Sequence, residues 1–171
     1  MTKINYKEIE KAHERIKKYI NLTPLITNNS LNKKYGSRIF FKLENKQKTG
    51  SFKIRGALNK ILQLNKKERK QGIVAYSSGN HAQAVSYASK LIGINSTIIM
   101  PRDAPKIKII NTKKYGSKII FYDRRNESRE EIAKKLARKN NYILVPPFDD
   151  EDIIIGQGTI GLEIARKLKK Q

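Results

Sequence analysis

A chain of 171 residues with a 38% hydrophobic fraction is long enough for one domain and a piece of another, and too apolar for wholesale disorder. It has no cysteine, which excludes disulfides and thiolate chemistry and fits a reducing, cytoplasmic compartment. Lys and Arg total 37 against 15 Asp and Glu, a formal charge of +22, yet the lysines fall on nearly every predicted helix rather than in one stripe, so specific nucleic-acid recognition is not expected.

The predicted elements begin with a helix through "YKEIEKAHERIKKYI". The segment "NLTPLI" and a strand at "SRIFFKLE" follow. Next comes "KTGSFKIRGALNK", Lys48 to Lys60. Ser51 is a plausible N-cap there, and Ile54, Ala57, Leu58, Ile61 and Leu62 mark one apolar helix face. From Ile73 onward short apolar runs alternate with helical patterns. Ile73–Tyr76 reads as a buried strand. "NHAQAVSYASKLIG" reads as a helix with Ala84, Val85, Ala88 and Leu91 near one face, ended by Gly93. "STIIM" is a strand stopped by Pro101, and Pro105 opens a helix through Ile107, Ile110 and Lys114. "SKIIFY" is a third strand. "ESREEIAKKLARKN" is a helix with Ile132, Leu136 and Ala137 inward. "YILV" is a fourth strand, ended by Pro146 and Pro147. A last helix carries Ile160, Ile164, Ala165 and Leu168. Alternation at this spacing implies βαβ units and an open parallel sheet over residues 72–149, with ligands beyond the carboxyl ends of its strands. The longest apolar runs, such as "STIIMP", are too short to span a membrane.

Lys53 stands apart from the other lysines. It falls in the first turn of its helix, where the macrodipole disfavours an ammonium and burial would lower the amine's pKa further. A neutral amine is what imine formation with an aldehyde cofactor needs. The competing reading is one more exposed lysine on a lysine-rich surface. A second stretch, "AYSSGNHAQA", places two hydroxyls, a glycine, an amide and an imidazole between a strand and a helix. Main-chain N–H groups at such a helix start bind anions, a carboxylate included. An ordinary capped turn would look the same.

Taken together, "KLENKQKTGSFKIRGALNKI" and "SSGNHAQAVSYASKLIGI" resemble the fold-type-II pyridoxal-phosphate enzymes (the tryptophan synthase β-like fold). Within them the two stretches look like the branch of serine/threonine dehydratases and serine racemases. The resemblance continues through "MPRDAPKIKIINTKKYGSKIIFYD" and "PPFDDEDIIIGQGTIGLEI". It implies that Lys53 holds pyridoxal 5′-phosphate, that Phe52 packs near its ring, and that Asn80 bonds its 3′-oxygen. Ser77, Ser78, Gly79, Asn80 and His81 match the loop that grips the substrate carboxylate. Ser78 aligns with the serine that racemases use as a second acid/base, and leans toward that activity without deciding it. The implied reaction is dehydration and deamination of L-threonine or L-serine to a 2-oxo acid and ammonia, with serine racemisation as the alternative. An inactive fragment or a basic binding module is the alternative of another class.

"GQGTIG", Gly156 to Gly161, fits G-x-G-x-x-G, but no second strand or downstream acidic residue follows it, so dinucleotide binding is not expected. With only His13 and His81 as histidines, no metal site is expected either. The resemblance implies an N-terminal part of the enzyme. Residues 1–71 would begin a large domain, 72–149 form a smaller one, and 150–171 start the remainder of the large one. The full-length enzyme would be a homo-oligomer without membrane attachment.

Overall fold

The structure, a computed structural model, describes residues 4–169. Helix α1 (Tyr6–Ile16) starts at Asn5, whose side chain accepts from the Glu8 amide. Strand β1 (Leu25–Thr27), helix α2 (Asn29–Tyr35) and strand β2 (Phe40–Lys42) follow, with β1 and β2 paired antiparallel. Short 3₁₀ turns at Glu44–Lys46 and Lys48–Gly50 lead into α3 (Lys53–Leu62). Then come α4 (Lys66–Gln71), β3 (Ile73–Tyr76), α5 (Asn80–Ile92), β4 (Ser96–Pro101) and α6 (Lys106–Lys114). The chain continues through β5 (Lys118–Tyr122), α7 (Arg129–Asn140), β6 (Ile143–Leu144) and α8 (Glu151–Leu168).

The expected sheet is present. Strands run in the order β5-β4-β3-β6, and all three pairings are parallel. The period of two along each strand divides the core. Ile73, Ala75, Ile98 and Met100 point to one face, where they pack with Ile54, Leu58, Ile61 of α3 and Ala84, Val85, Ala88 of α5. Val74, Tyr76 and Ile99 point to the other, against Ala133 of α7, with Ile132, Leu136 and Ala137 packed around them.

Several boundaries and faces differ from expectation. Strand β4 runs one residue further than predicted and includes Pro101, tolerated because it is the last residue of the strand. Leu91, Ile107 and Ile110 face solvent. Helix α8 begins at Asp150, which caps it by accepting from the Ile153 amide, so "GQGTIG" lies inside a helix rather than opening one. Its buried face is Ile153, Ile155, Gly156, Thr159, Leu162 and Glu163, while Leu168 is exposed and Ile160 and Ile164 are half-buried. Gly156 is there because α8 and α3 touch backbone to backbone: a Cβ at Gly156 would lie 2.6 Å from the Arg55 carbonyl and 2.8 Å from Gly56 Cα.

Candidate active site

Helix α3 starts at Lys53, but not under a serine cap. Phe52 occupies the cap position in helical geometry and makes no side-chain cap. The first turn is closed instead by the main chain, the Arg55 amide donating to the Phe52 carbonyl at 3.0 Å. Ser51 is extended, and its hydroxyl is buried with no hydrogen-bond partner among the described residues. The Thr49 hydroxyl, on a residue held at φ 63°, is likewise buried and unpartnered. Orphaned buried hydroxyls are uncommon and call for a reason. Here they flank the lysine that the sequence singles out.

The Lys53 amine donates to the Pro147 carbonyl at 2.7 Å, in the loop after β6. It lies 5.2 Å from the centre of the Phe52 ring. Burial lowers its pKa below the ordinary lysine value. The helix-start position and the lowered amine pKa therefore agree with the sequence reading, with desolvation as the cause.

The "SSGNH" loop joins β3 to α5 at the carboxyl end of the sheet. Ser77 turns the chain, its hydroxyl accepting from the Gly79 amide at 3.1 Å. Gly79 stands at the N-cap of α5, so no side chain caps that helix, and a Cβ there would meet nothing within 4 Å. The first-turn amides of Asn80 and His81 thus face an open approach. Asn80 Oδ1 accepts from Lys108 at 2.8 Å, which leaves its amide nitrogen as the group to offer a ligand. The ring of His81 turns inward. It is 2% exposed, with Nε2 at 3.0 Å from the Val145 carbonyl. Burial pushes its pKa down to about 4. The loop's anion-binding capacity therefore lies in its main chain and hydroxyls, not in the imidazole.

The sequence reading missed three contributors. Pro147 holds the lysine amine, Lys108 orients Asn80, and Arg55 fixes the base of the site. Arg55 is fully buried, with Glu44 bonded through Nε and Nη2 at 2.9 and 2.8 Å and Glu163 through Nη1 and Nη2 at 2.7 and 3.0 Å. Lys42 completes the cluster on Glu163. Burial alone would raise the Glu163 carboxyl; hydrogen bonds from Arg55 and Lys42 outweigh it and hold the group below the usual range. A half-open cavity of about 590 Å³ lies beside this cluster, lined by His13, Thr23, Lys42, Glu163 and Arg166 among others, and by none of the residues around Lys53.

A lysine amine of lowered pKa beside an uncapped helix start and unpartnered hydroxyls is a fitting seat for an aldehyde cofactor. A family model described as pyridoxal-phosphate dependent enzyme matches residues 16–171. The chain belongs to that family. It is similar to the serine racemase of Schizosaccharomyces pombe, 46% identical over 93% of this chain and 49% of that one. It is also similar to the L-threo-3-hydroxyaspartate ammonia-lyase of Saccharomyces cerevisiae, 44% identical over 95% of this chain and 50% of that one. Maize serine racemase superposes with a TM-score of 0.92 at 41% identity, covering 96% of this chain and 50% of that one. A bacterial-type comparison, the threonine deaminase of T.th., gives 0.87 at 40%, covering 98% and 53%. The chain spans about half the length of the curated relatives it matches. Among the described residues no helix is long and apolar enough to cross a membrane.

Proposed function

We propose that this chain supplies the lysine-bearing half of an enzyme that dehydrates and deaminates L-threonine or L-serine to a 2-oxo acid and ammonia. The observation that carries the reading is the half-buried Lys53 amine at the start of α3, its pKa lowered by burial, in a chain of the pyridoxal-phosphate family. Lys53 would be the covalent anchor of pyridoxal phosphate, with Phe52 beside the ring and the Asn80 amide as a hydrogen-bond donor to it. When bound, the cofactor supplies an electron sink for the charge left as the substrate loses its Cα proton. Lys53 Nζ, kept largely out of water, is the base that takes that proton. The substrate carboxylate would sit on the main-chain N–H groups of Gly79, Asn80 and His81 and on the hydroxyls of Ser77 and Ser78, where the dipole of α5 favours an anion.

A second reading, serine racemisation, is supported by the half-buried Ser78 hydroxyl in this loop and by the racemases among the relatives. Ser78 would return a proton that Lys53 does not. Under either reading, residues 1–71 and 150–171 belong to one domain and 72–149 to another, in keeping with the packing of α1 and α3 on α8. We place the complete enzyme in the cytoplasm as a homo-oligomer acting on a small amino acid, in keeping with a cysteine-free sequence.

Pyridoxal phosphate followed by borohydride should label Lys53 ahead of every other lysine, as read by peptide mapping. Label spread evenly over the lysines would sink the reading. Release of 2-oxo acid against formation of D-serine, measured after supplying the second half of a relative, separates dehydratase from racemase.

A further inference from the structure

The segment between β6 and α8 is a short arm pinned at both ends. At its start the Val145 amide donates to the Val74 carbonyl across the sheet at 2.9 Å. The Val145 carbonyl lies 3.0 Å from His81 Nε2. Burial keeps the His81 ring neutral at ordinary pH, and a nitrogen that close to a carbonyl oxygen must be the protonated one. Nδ1 is buried and has no hydrogen-bond partner among the described residues. The ring's polar tie is therefore to the arm alone. At the far end Asp150 caps α8 and pairs with Lys60 of α3 at 2.6 Å.

Between these pins run Pro146 and Pro147. Each proline fixes its own φ, and each holds the residue before it in extended geometry. Every main-chain torsion from the ψ of Val145 to the φ of Pro147 is thereby fixed or narrowed. The arm is a stiff lever, and at its tip the Pro147 carbonyl accepts from Lys53 Nζ at 2.7 Å.

We propose that the Pro147 carbonyl is the seat of the Lys53 amine, and that His81 is the positioning residue that sets this seat through the Val145-Pro146-Pro147 arm. The proposal rests on the reading of Lys53 as the anchoring amine. A carbonyl suits the task. It accepts an N–H and has no proton to give, so it holds the amine and leaves the nitrogen lone pair for attack. A carboxylate in its place would favour the charged ammonium. A seated amine has also given up its rotamer freedom before it reacts.

The test uses the whole chain and the variants His81→Phe, His81→Gln and Pro146→Ala. Phenylalanine keeps a buried ring and removes the donor, glutamine offers an N–H in its place, and alanine frees the arm without touching His81. Competitive acetylation with trace acetic anhydride across pH reports the titration and nucleophilicity of Lys53 without any cofactor. Reaction with pyridoxal phosphate, trapped by borohydride, is followed in parallel. In His81→Phe the Lys53 titration should move toward that of the surface lysines, and trapping should slow by about tenfold, the effect of one pKa unit. His81→Gln should bring both back toward the parent chain, and Pro146→Ala should fall between. A folded His81→Phe chain whose Lys53 titrates and reacts like the parent overturns the proposal. So does a His81→Gln chain no closer to the parent than His81→Phe. If His81→Phe does not fold, by near-UV circular dichroism, Pro146→Ala carries the test, and an unchanged Lys53 in it has the same meaning. Failure of the cofactor reading looks different. The parent chain would then trap pyridoxal phosphate on no preferred lysine, while acetylation would still show whether His81 governs Lys53.

Discussion

The two sides of α3 are held by opposite means. Toward the sheet its contacts are apolar: Ile54, Leu58 and Ile61 meet Ile73, Ile98 and Val85 in a fully buried core. Toward α8 and the turn after β2, the same helix buries Arg55 between two carboxylates. Apolar burial is additive and forgiving, because each methyl group lost costs about 1 kcal/mol and its neighbours partly close the gap. A buried charge cluster is neither. Its attraction only just exceeds the desolvation cost, so the loss of one partner strands the others. Lys53 thus rides on a helix with one tolerant face and one brittle one.

The largest effect should come from breaking the brittle face. Glu163→Ala leaves Arg55 and Lys42 buried with one carboxylate fewer, and should cost about 3–5 kcal/mol. Ile98→Val in the apolar core should cost about 0.5–1.5 kcal/mol. Urea denaturation of both variants is the measurement, and equal losses would erase the distinction. The same cluster fixes the sense of acid sensitivity. Glu163 has a folded pKa below its unfolded value, so its stabilisation is complete above the ordinary carboxylate range and is lost as pH falls through the folded value.

Next in size is His81, whose burial reaches into the apolar side. Its pKa drops from 6.5 to about 4 on folding. The unfolded chain therefore takes up a proton first as pH falls. Stability is full above about pH 6.5 and declines by about 3 kcal/mol on the way to pH 4, at 1.36 kcal/mol per unit. The urea midpoint followed from neutral pH downward should lose this component in His81→Phe. A variant with the parent's slope over that window would show that another group is responsible.

The same contrast explains what could be read from the sequence. The sheet and its helices were legible because apolar spacing reports burial directly: Ile73–Tyr76, "STIIM" and the α3 face all lie where periodicity puts them. Lys53 and the "SSGNH" loop were legible because helix starts and strand-to-helix turns accept few residue types. Arg55 was not, since arginine in a chain with 37 cations reads as surface, and only the distant Glu44 and Glu163 make its burial tolerable. Pro147 was read as a strand stop because what it offers Lys53 is a main-chain carbonyl, and every residue has one. Ser51 looked like a cap because serine usually is one; the 3₁₀ turn before it carries the chain in at an angle that leaves its hydroxyl unused.

The glycines of "GQGTIG" offer a sharper probe of the brittle face, since one short motif touches both it and solvent. At Gly156 an added Cβ would meet the Arg55 carbonyl at 2.6 Å and Asn59 Cβ at 2.7 Å. Gly156→Ala should therefore cost about 1–3 kcal/mol by forcing α8 off α3. At Gly161 a Cβ would meet nothing within 4 Å. Gly161→Ala should stabilise α8 by up to about 1 kcal/mol through helix propensity. Thermal melting of the pair gives the comparison, and a stabilised Gly156→Ala would mean that the helices do not touch as described.

The smallest effect completes the comparison by holding the chemistry constant and changing only the solvent. Arg124 pairs with Asp103 at 2.9 Å, a distance like those Arg55 makes with Glu44, yet both side chains are at least half exposed. Water already solvates each charge, so little desolvation is recovered when the pair breaks and no buried partner is left behind. Arg124→Ala should cost under about 1 kcal/mol, and added salt should shrink even that. The measurement is the urea midpoint of parent and variant in low and in molar salt. A loss approaching that of Glu163→Ala would show that the loop between β5 and α7 depends on this pair as α3 depends on Arg55. The rule separating the two arginines would then be something other than burial.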